Sequence, residues 1–128
     1  MGFNHTLGIT YRTAAGTITS TTDVYTADSE VNSEVSVPSG NNKEVDITLV
    51  KTAIKSMVMI CDKAVTVKTN NAISPQESIA LAANKALIWN TDHTEVIPFA
   101  ANVTKFFIDN EGNNSGNFKG YFLCDLTP

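Results

Sequence analysis

The sequence predicts an all-β protein, a single antiparallel β-sandwich of about eight to ten short strands. Three observations lead there. Charged residues make up only 17% of the chain against 42% hydrophobic, and Thr, Asn and Ser fill the polar share. Thr is β-branched and suits strands, while Asn and Ser suit turns. Apolar residues recur with a period of two in one segment after another. Clusters of Gly, Asn, Pro and Ser separate those segments at short spacing, and no segment is a compelling helix. At 128 residues the chain is long enough for one domain, residues 1–128, with its own hydrophobic core. Jelly-roll connections are one way to join such strands, but periodicity does not encode connectivity.

The first segment, "HTLGITYR", sets Leu7, Ile9 and Tyr11 against Thr6, Gly8 and Thr10, as in a half-buried strand. "TAAGT" turns it, and the Thr-rich "TITSTTDVYT" follows as an edge or surface-facing strand. In "ADSEVNSEVSVPSGNNKEV", Val31, Val35 and Val37 share a face, Pro38 breaks the run and "SGNN" turns the chain. "KEVDITLV" then places Val45, Ile47 and Leu49 together on one side.

The middle holds most of the core material. "AIKSMVMICD" is nearly continuous apolar sequence, as expected of a strand covered on both faces. Ala, Lys and Met also suit a helix, so residues 51–60 admit either state. "KAVTVKTNN" is extended, with Val65 and Val67 opposed to Thr66 and Lys68. A turn at Asp62 and Lys63 makes these two pieces a hairpin, which favours strand for both. "AISPQES" is a loop. Beyond it Ile79 and Leu81, then Leu87 and Trp89, fit two strands joined at "AANKA" by a tight turn at Asn84 and Lys85. Residues 77–86 also admit a short helix by their Ala and Leu content. "EVIPFAANV" leads to two aromatic strands, "TKFFIDNEG" and "GYFLCDLTP", separated by a long Gly/Asn hairpin loop, "NEGNNSGN".

The net charge of −4 opposes a nucleic-acid partner, which normally requires a basic face. The nine basic residues are scattered singly, leaving no polybasic membrane patch, and no apolar run approaches the ~20 residues of a spanning helix. "MGFNHTLGITYR" lacks the basic and apolar regions of a secretory signal. Gly2 and Thr6 satisfy a myristoylation pattern, but the alternation that follows reads as a strand and lipidation is not expected. The sequons at Asn4, Asn102 and Asn113 follow from an Asn- and Thr-rich composition.

No residue set assembles an enzyme. His5 and His93 belong to no recognisable motif, and no nucleophile elbow, phosphate loop or zinc-protease signature occurs. "DHTE" groups Asp92, His93 and Glu95, yet neighbouring strand residues point to opposite faces, so a solvated loop is the expectation. In "DNEGNNSGN", Gly112 comes at the fourth position from Asp109, where a calcium loop wants glycine at about the sixth. Phe106, Phe107, Tyr121 and Phe122 lie in apolar runs, where core packing is the default. Trp89 is the least committed aromatic and the one weak ligand-binding candidate, as a sugar-stacking platform; it is expected to be mostly buried. Cys61 and Cys124 each end an apolar run and precede an Asp, so their strands are candidate neighbours. Two buried thiols are expected, with a disulfide as the alternative. No catalytic, cofactor-binding or metal residue is assigned, and no cofactor is expected.

From about Ile54 onward, somewhat over half the chain, the order of segments carries a resemblance. A strand enters an Asn-bearing turn (Val65 to Asn71), and an aliphatic stretch ends in Trp-Asn (Leu81 to Asn90). A Val-Thr strand then closes on Asp-Asn (Val103 to Asn110), and the final strand ends at Cys124 and Asp125. This resembles small β-sandwich virion proteins of tailed bacteriophages, the kind that decorate or stabilise the head. The resemblance implies a non-enzymatic structural protein of the virion, assembled in the host cytoplasm. It would bind the major capsid protein or other virion proteins at subunit junctions on the outer shell, as a homo-oligomer with a trimer favoured. The Thr-rich early strands and the 28–45 loop region are its candidate binding surface. No functional residues carry over. The alternative is a carbohydrate-binding or adhesin-like module, including a tail or fibre component, with Trp89 in recognition.

Overall fold

The computed structural model describes residues 2–40, 42–92 and 96–125, with backbone only at 9–13 and 17–21. The first two strands, β1 (Phe3–Thr13) and β2 (Gly16–Ala27), pair antiparallel from Phe3↔Ala27 to Thr13↔Gly16 as a long ribbon. Gly16, at φ +131°, supplies the backbone conformation that the turn needs. Eight further strands build the body. They are β3 (Ser29–Val37), β4 (Asn42–Leu49), β5 (Ile54–Cys61), β6 (Val65–Thr69), β7 (Ser78–Leu81), β8 (Leu87–Asn90), β9 (Val103–Asn110) and β10 (Gly116–Cys124).

These eight form two antiparallel sheets, ordered β3-β10-β5-β8 and β4-β9-β6-β7. Four pairings, β3·β10, β4·β9, β5·β8 and β6·β7, are rungs of one long antiparallel hairpin whose tip joins β6 to β7. The other two, β10·β5 and β9·β6, are the contacts made when that hairpin rolls up on itself. The result is a jelly roll, the two-sheet solution to burying one apolar face per strand.

The strand boundaries follow the sequence patterning, while three expected connections differ. The turns after β5, β7 and β9 were read as hairpins; each instead carries the chain from one sheet to the other. The reason is geometric: sheets stack about 10 Å apart, a gap that a few extended residues span as easily as they close a hairpin. Local pins favour the crossing. Asp62 Oδ1 accepts the Asn117 N–H at 2.7 Å, tying the β5–β6 corner to β10. The helical alternatives at 51–60 and 77–86 do not form. A single 3₁₀ turn (Lys51–Ala53) precedes β5, and Asn84 turns the chain after β7 at φ 60°. The 28–45 region, expected as a loop surface, is mostly β3 and β4.

Between the sheets lies the core. Val37, Leu49, Met57, Met59, Val67 and Ile108 are each at most 1% exposed, and so are Phe99, Phe106, Phe118 and Phe122. Those four rings stack around Phe106, which meets Phe99, Phe118 and Phe122 at centroid distances of 6.2, 6.2 and 6.0 Å. Gly120 makes this possible, since a Cβ there would stand 3.0 Å from Phe122 Cε2 and 3.2 Å from Phe118 Cε2. Phe99 comes from the irregular 96–102 segment and plugs the sandwich without belonging to a strand.

Cys61 and Cys124 are both buried and unpaired. Their strands are neighbours, as their similar endings suggested, but they run antiparallel. Cys61 stands opposite Phe118, six positions along β10 from Cys124. At about 3.4 Å per residue that is roughly 20 Å, far beyond the ~7 Å limit for a disulfide. Burial pushes both thiols above their ordinary pKa.

Candidate functional site

The two outer faces of the sandwich differ in kind. On the outer face of the β4-β9-β6-β7 sheet, alternation places Glu44 and Asp46 beside Lys105, and Lys68 beside Asp109. Lys105 Nζ lies 3.2 Å from Glu44 and 3.4 Å from Asp46, and Lys68 Nζ lies 3.7 Å from Asp109. Those carboxylates, Glu44 foremost, raise the Lys105 pKa. Phe107 sits half-buried among them, which corrects its expected place in the core: with Phe106 and Ile108 facing inward, Phe107 must face outward. This face carries a ladder of ion pairs, exposed at Glu44 and Asp46 and half-buried at Lys68 and Asp109.

The outer face of the β3-β10-β5-β8 sheet is apolar at its centre. Val58 of β5 pairs with Ile88 of β8 and with Tyr121 of β10, and Ser56 with Leu123. Tyr121 therefore also leaves the core, for the same alternation that buries Phe122. Its hydroxyl donates to Glu34 on β3, and that bond chiefly raises the phenol pKa.

The ribbon lies across this face. Leu7, Tyr25 and Ala27 close over Leu123, which is fully buried although it points away from the main core. The Tyr25 hydroxyl donates to Asp92 Oδ2 at 3.1 Å, and His5 Nε2 lies 3.8 Å from Glu30. Burial first, and the Asp92 carboxylate second, push the Tyr25 phenol above its ordinary pKa. Between the ribbon and the sheet a cleft of about 390 Å³ remains, lined by His5, Leu7, Ser56, Val58, Ile88 and Tyr121 among others. Ile88 is 40% exposed beside it. The cleft is mixed in character, with Asn4, His5, Thr6, Ser56 and Tyr121 beside the apolar Leu7, Val58 and Ile88.

The residues singled out from sequence disperse. Trp89 pairs with Met57 on the inward side of β8 and packs, half-buried, against the main core. Asp92 sits in the turn after β8, where Asn90 Oδ1 accepts its N–H at 3.0 Å, and its carboxylate accepts the Tyr25 hydroxyl. His93 and Glu95, the other members of that cluster, lie outside the described residues. Asp109 is paired to Lys68 within the β4-β9-β6-β7 sheet. Among the described residues no group of three His, Cys, Asp or Glu side chains is placed to hold a metal ion. Sequence reasoning passed over Tyr121 and the docking of Leu7, Tyr25 and Ala27. The period-two rule flags the first, and the isolated aromatic and small residues ending a Thr-rich strand flag the second.

No protein-family model, curated protein or solved structure matches this chain.

Proposed function

We propose that this chain is a non-enzymatic structural protein of a tailed-phage virion, a capsid decoration protein that sits on the outside of the shell as a homo-oligomer. The observation that carries the reading is the contrast between the two outer faces. One carries ion pairs across β4, β9 and β6. The other is apolar at its centre, where a two-stranded ribbon docks over Leu123. Jelly rolls recur in viral capsid and lectin domains, and this supports the reading at the level of fold analogy only. The resemblance from Ile54 onward points the same way.

Mass spectrometry of purified virions from the phage that encodes the chain tests this directly. The chain should be present in many copies per particle, and should rebind particles from which it has been stripped. Its absence from virions would sink the proposal. The carbohydrate-binding alternative relied on an exposed Trp89, and Trp89 packs against the core. Glycan-array binding that is lost in Trp89→Ala would reinstate it.

A further inference from the structure

Ser56 is the one polar side chain lining the cleft that is both buried and uncommitted. It is 8% exposed, on the outer side of β5 opposite Leu123 and Asn90. Its hydroxyl lines the cleft and makes no hydrogen bond among the described residues. The polar groups around it are engaged or wet. Asn4 Oδ1 accepts the Thr26 hydroxyl at 2.7 Å, His5 Nε2 lies 3.8 Å from Glu30, and the Tyr121 hydroxyl donates to Glu34. Thr6 is exposed to solvent. A buried hydroxyl without a partner is costly, so native structures seldom leave one unless something outside the chain supplies the bond. Beside Ser56 the walls are apolar. Val58 follows two residues along β5 on the same face, about 7 Å away, and pairs with Ile88 and Tyr121. Leu7 closes the cleft from the ribbon side. With its hydroxyl turned to Glu34, Tyr121 presents its ring.

We propose that this cleft binds a neutral, ring-sized apolar molecule carrying one hydroxyl. The hydroxyl pairs with Ser56 Oγ, and the ring lies against Leu7, Val58, Ile88 and Tyr121. The volume of about 390 Å³ suits a small molecule. Charge selects the neutral class. Among the described lining residues there is no Asp, Glu, Lys or Arg, so an anion finds no cation there. Glu30 and Glu34, behind His5 and Tyr121, repel it further. An ammonium finds both of those carboxylates already engaged. A sugar, with hydroxyls all round its ring, leaves most of them unpaired against Leu7, Val58 and Ile88. One hydroxyl on an apolar body matches one free hydroxyl among apolar walls. A ligand held there touches the ribbon through Leu7 and the sheet through Ser56, Val58 and Ile88, so binding also fastens the ribbon to its face. The proposal asks nothing of a capsid and stands apart from the virion reading.

Nuclear magnetic resonance titration of the purified full chain with three matched ring compounds tests it at neutral pH. p-Cresol carries the hydroxyl, toluene lacks it, and p-toluate replaces it with a carboxylate. p-Cresol should shift the amide signals of Leu7, Ser56, Val58 and Ile88 saturably, and should bind more tightly than toluene or p-toluate. Ser56→Ala removes one neutral hydrogen bond and should weaken p-cresol about three- to tenfold, while toluene binding stays unchanged. Ile88→Asp, on a position already 40% exposed, should keep the thermal transition and weaken both p-cresol and toluene. No saturable shift with p-cresol, shifts centred elsewhere, or p-toluate binding as tightly as p-cresol would each overturn the proposal. So would a p-cresol affinity that Ser56→Ala leaves untouched. An equal loss of p-cresol and toluene in Ser56→Ala would also overturn it, because a change of cleft shape then replaces the lost bond as the cause.

Discussion

Asn70 is where a single side chain holds most structure together. It sits at φ 66°, just past β6, in the left-handed region that disfavours most L-residues. Its Oδ1 accepts the Thr104 N–H at 2.7 Å and the Thr104 hydroxyl at 3.1 Å, and its Nδ2 donates to the Asn102 carbonyl at 2.9 Å. One residue thus ties the end of β6 to the start of β9. Each of the two shortest of these bonds is worth about 0.5–1 kcal/mol at a site partly open to water. Holding an alanine in the left-handed region costs about 1 kcal/mol more. Asn70→Ala should therefore lose about 2.5 kcal/mol, and Asn70→Gly, which adopts that φ freely, about 1.5 kcal/mol. Asn70→Asp keeps the acceptor and loses the donor, for about 1 kcal/mol. For a chain of 128 residues, each kcal/mol moves Tm by about 4 °C. Thermal and urea unfolding followed by the fluorescence of the single tryptophan would measure all three. Equal losses for Ala and Gly would refute the left-handed cost, and a loss under about 1 kcal/mol in Asn70→Ala would refute the hub itself.

Other outcomes follow from the same geometry. Gly120→Ala drives a Cβ to 3.0 Å from Phe122 and should cost about 1–3 kcal/mol by overpacking, whereas Lys119→Ala on the exposed position beside it should change urea unfolding by under about 0.5 kcal/mol. Cys61 and Cys124 are buried with raised pKa values, so both should resist a thiol reagent at pH 8 in the folded protein and react together on unfolding; fast labelling of either thiol in the native protein would contradict the packing. The Tyr25 phenol is raised above the ordinary 10.0 in the folded state. Its contribution is therefore full below pH 10 and lost as pH rises through the raised value, so alkaline unfolding should be steeper in wild type than in Tyr25→Phe.

Most of the strands were legible because burial here follows a period of two. β4 buries Val45, Ile47 and Leu49, and β6 buries Val65, Val67 and Thr69, as the alternation requires. Pro38 and the "SGNN" turn mark the end of β3, where Gly40 adopts φ +82°. Partnership was not legible. "CDKAV" has the composition of a tight turn, and it crosses between sheets because Asp62 bonds β10, a strand more than fifty residues away along the chain. No local pattern carries that information. Tyr121 and Phe107 were assigned to the core because an apolar run of aromatics looks buried throughout. Once Phe122 and Phe106 fix the inward face, their neighbours have to face out.

The ribbon explains why the two outer faces could diverge. Leu123 and Val58 on an uncovered sheet would be an exposed apolar patch of the sort that invites aggregation. The opposite sheet avoids this with Glu44, Asp46, Lys68, Lys105 and Asp109 at its outward positions. On the first sheet, Leu7, Tyr25 and Ala27 supply the cover instead, and Tyr25 is fixed by Asp92 at the end of β8. Cover of this kind belongs to a separate pair of strands, which among the described residues meets the sheet through the Leu123 cluster, the Tyr25 phenol and His5 beside Glu30. Weakening that foothold by Tyr25→Ala would leave the jelly-roll core untouched, since Tyr25 packs with Leu123 and not with the four-phenylalanine stack. The strand pairing that builds the sandwich and the docking that hides its apolar face thus rest on different residues.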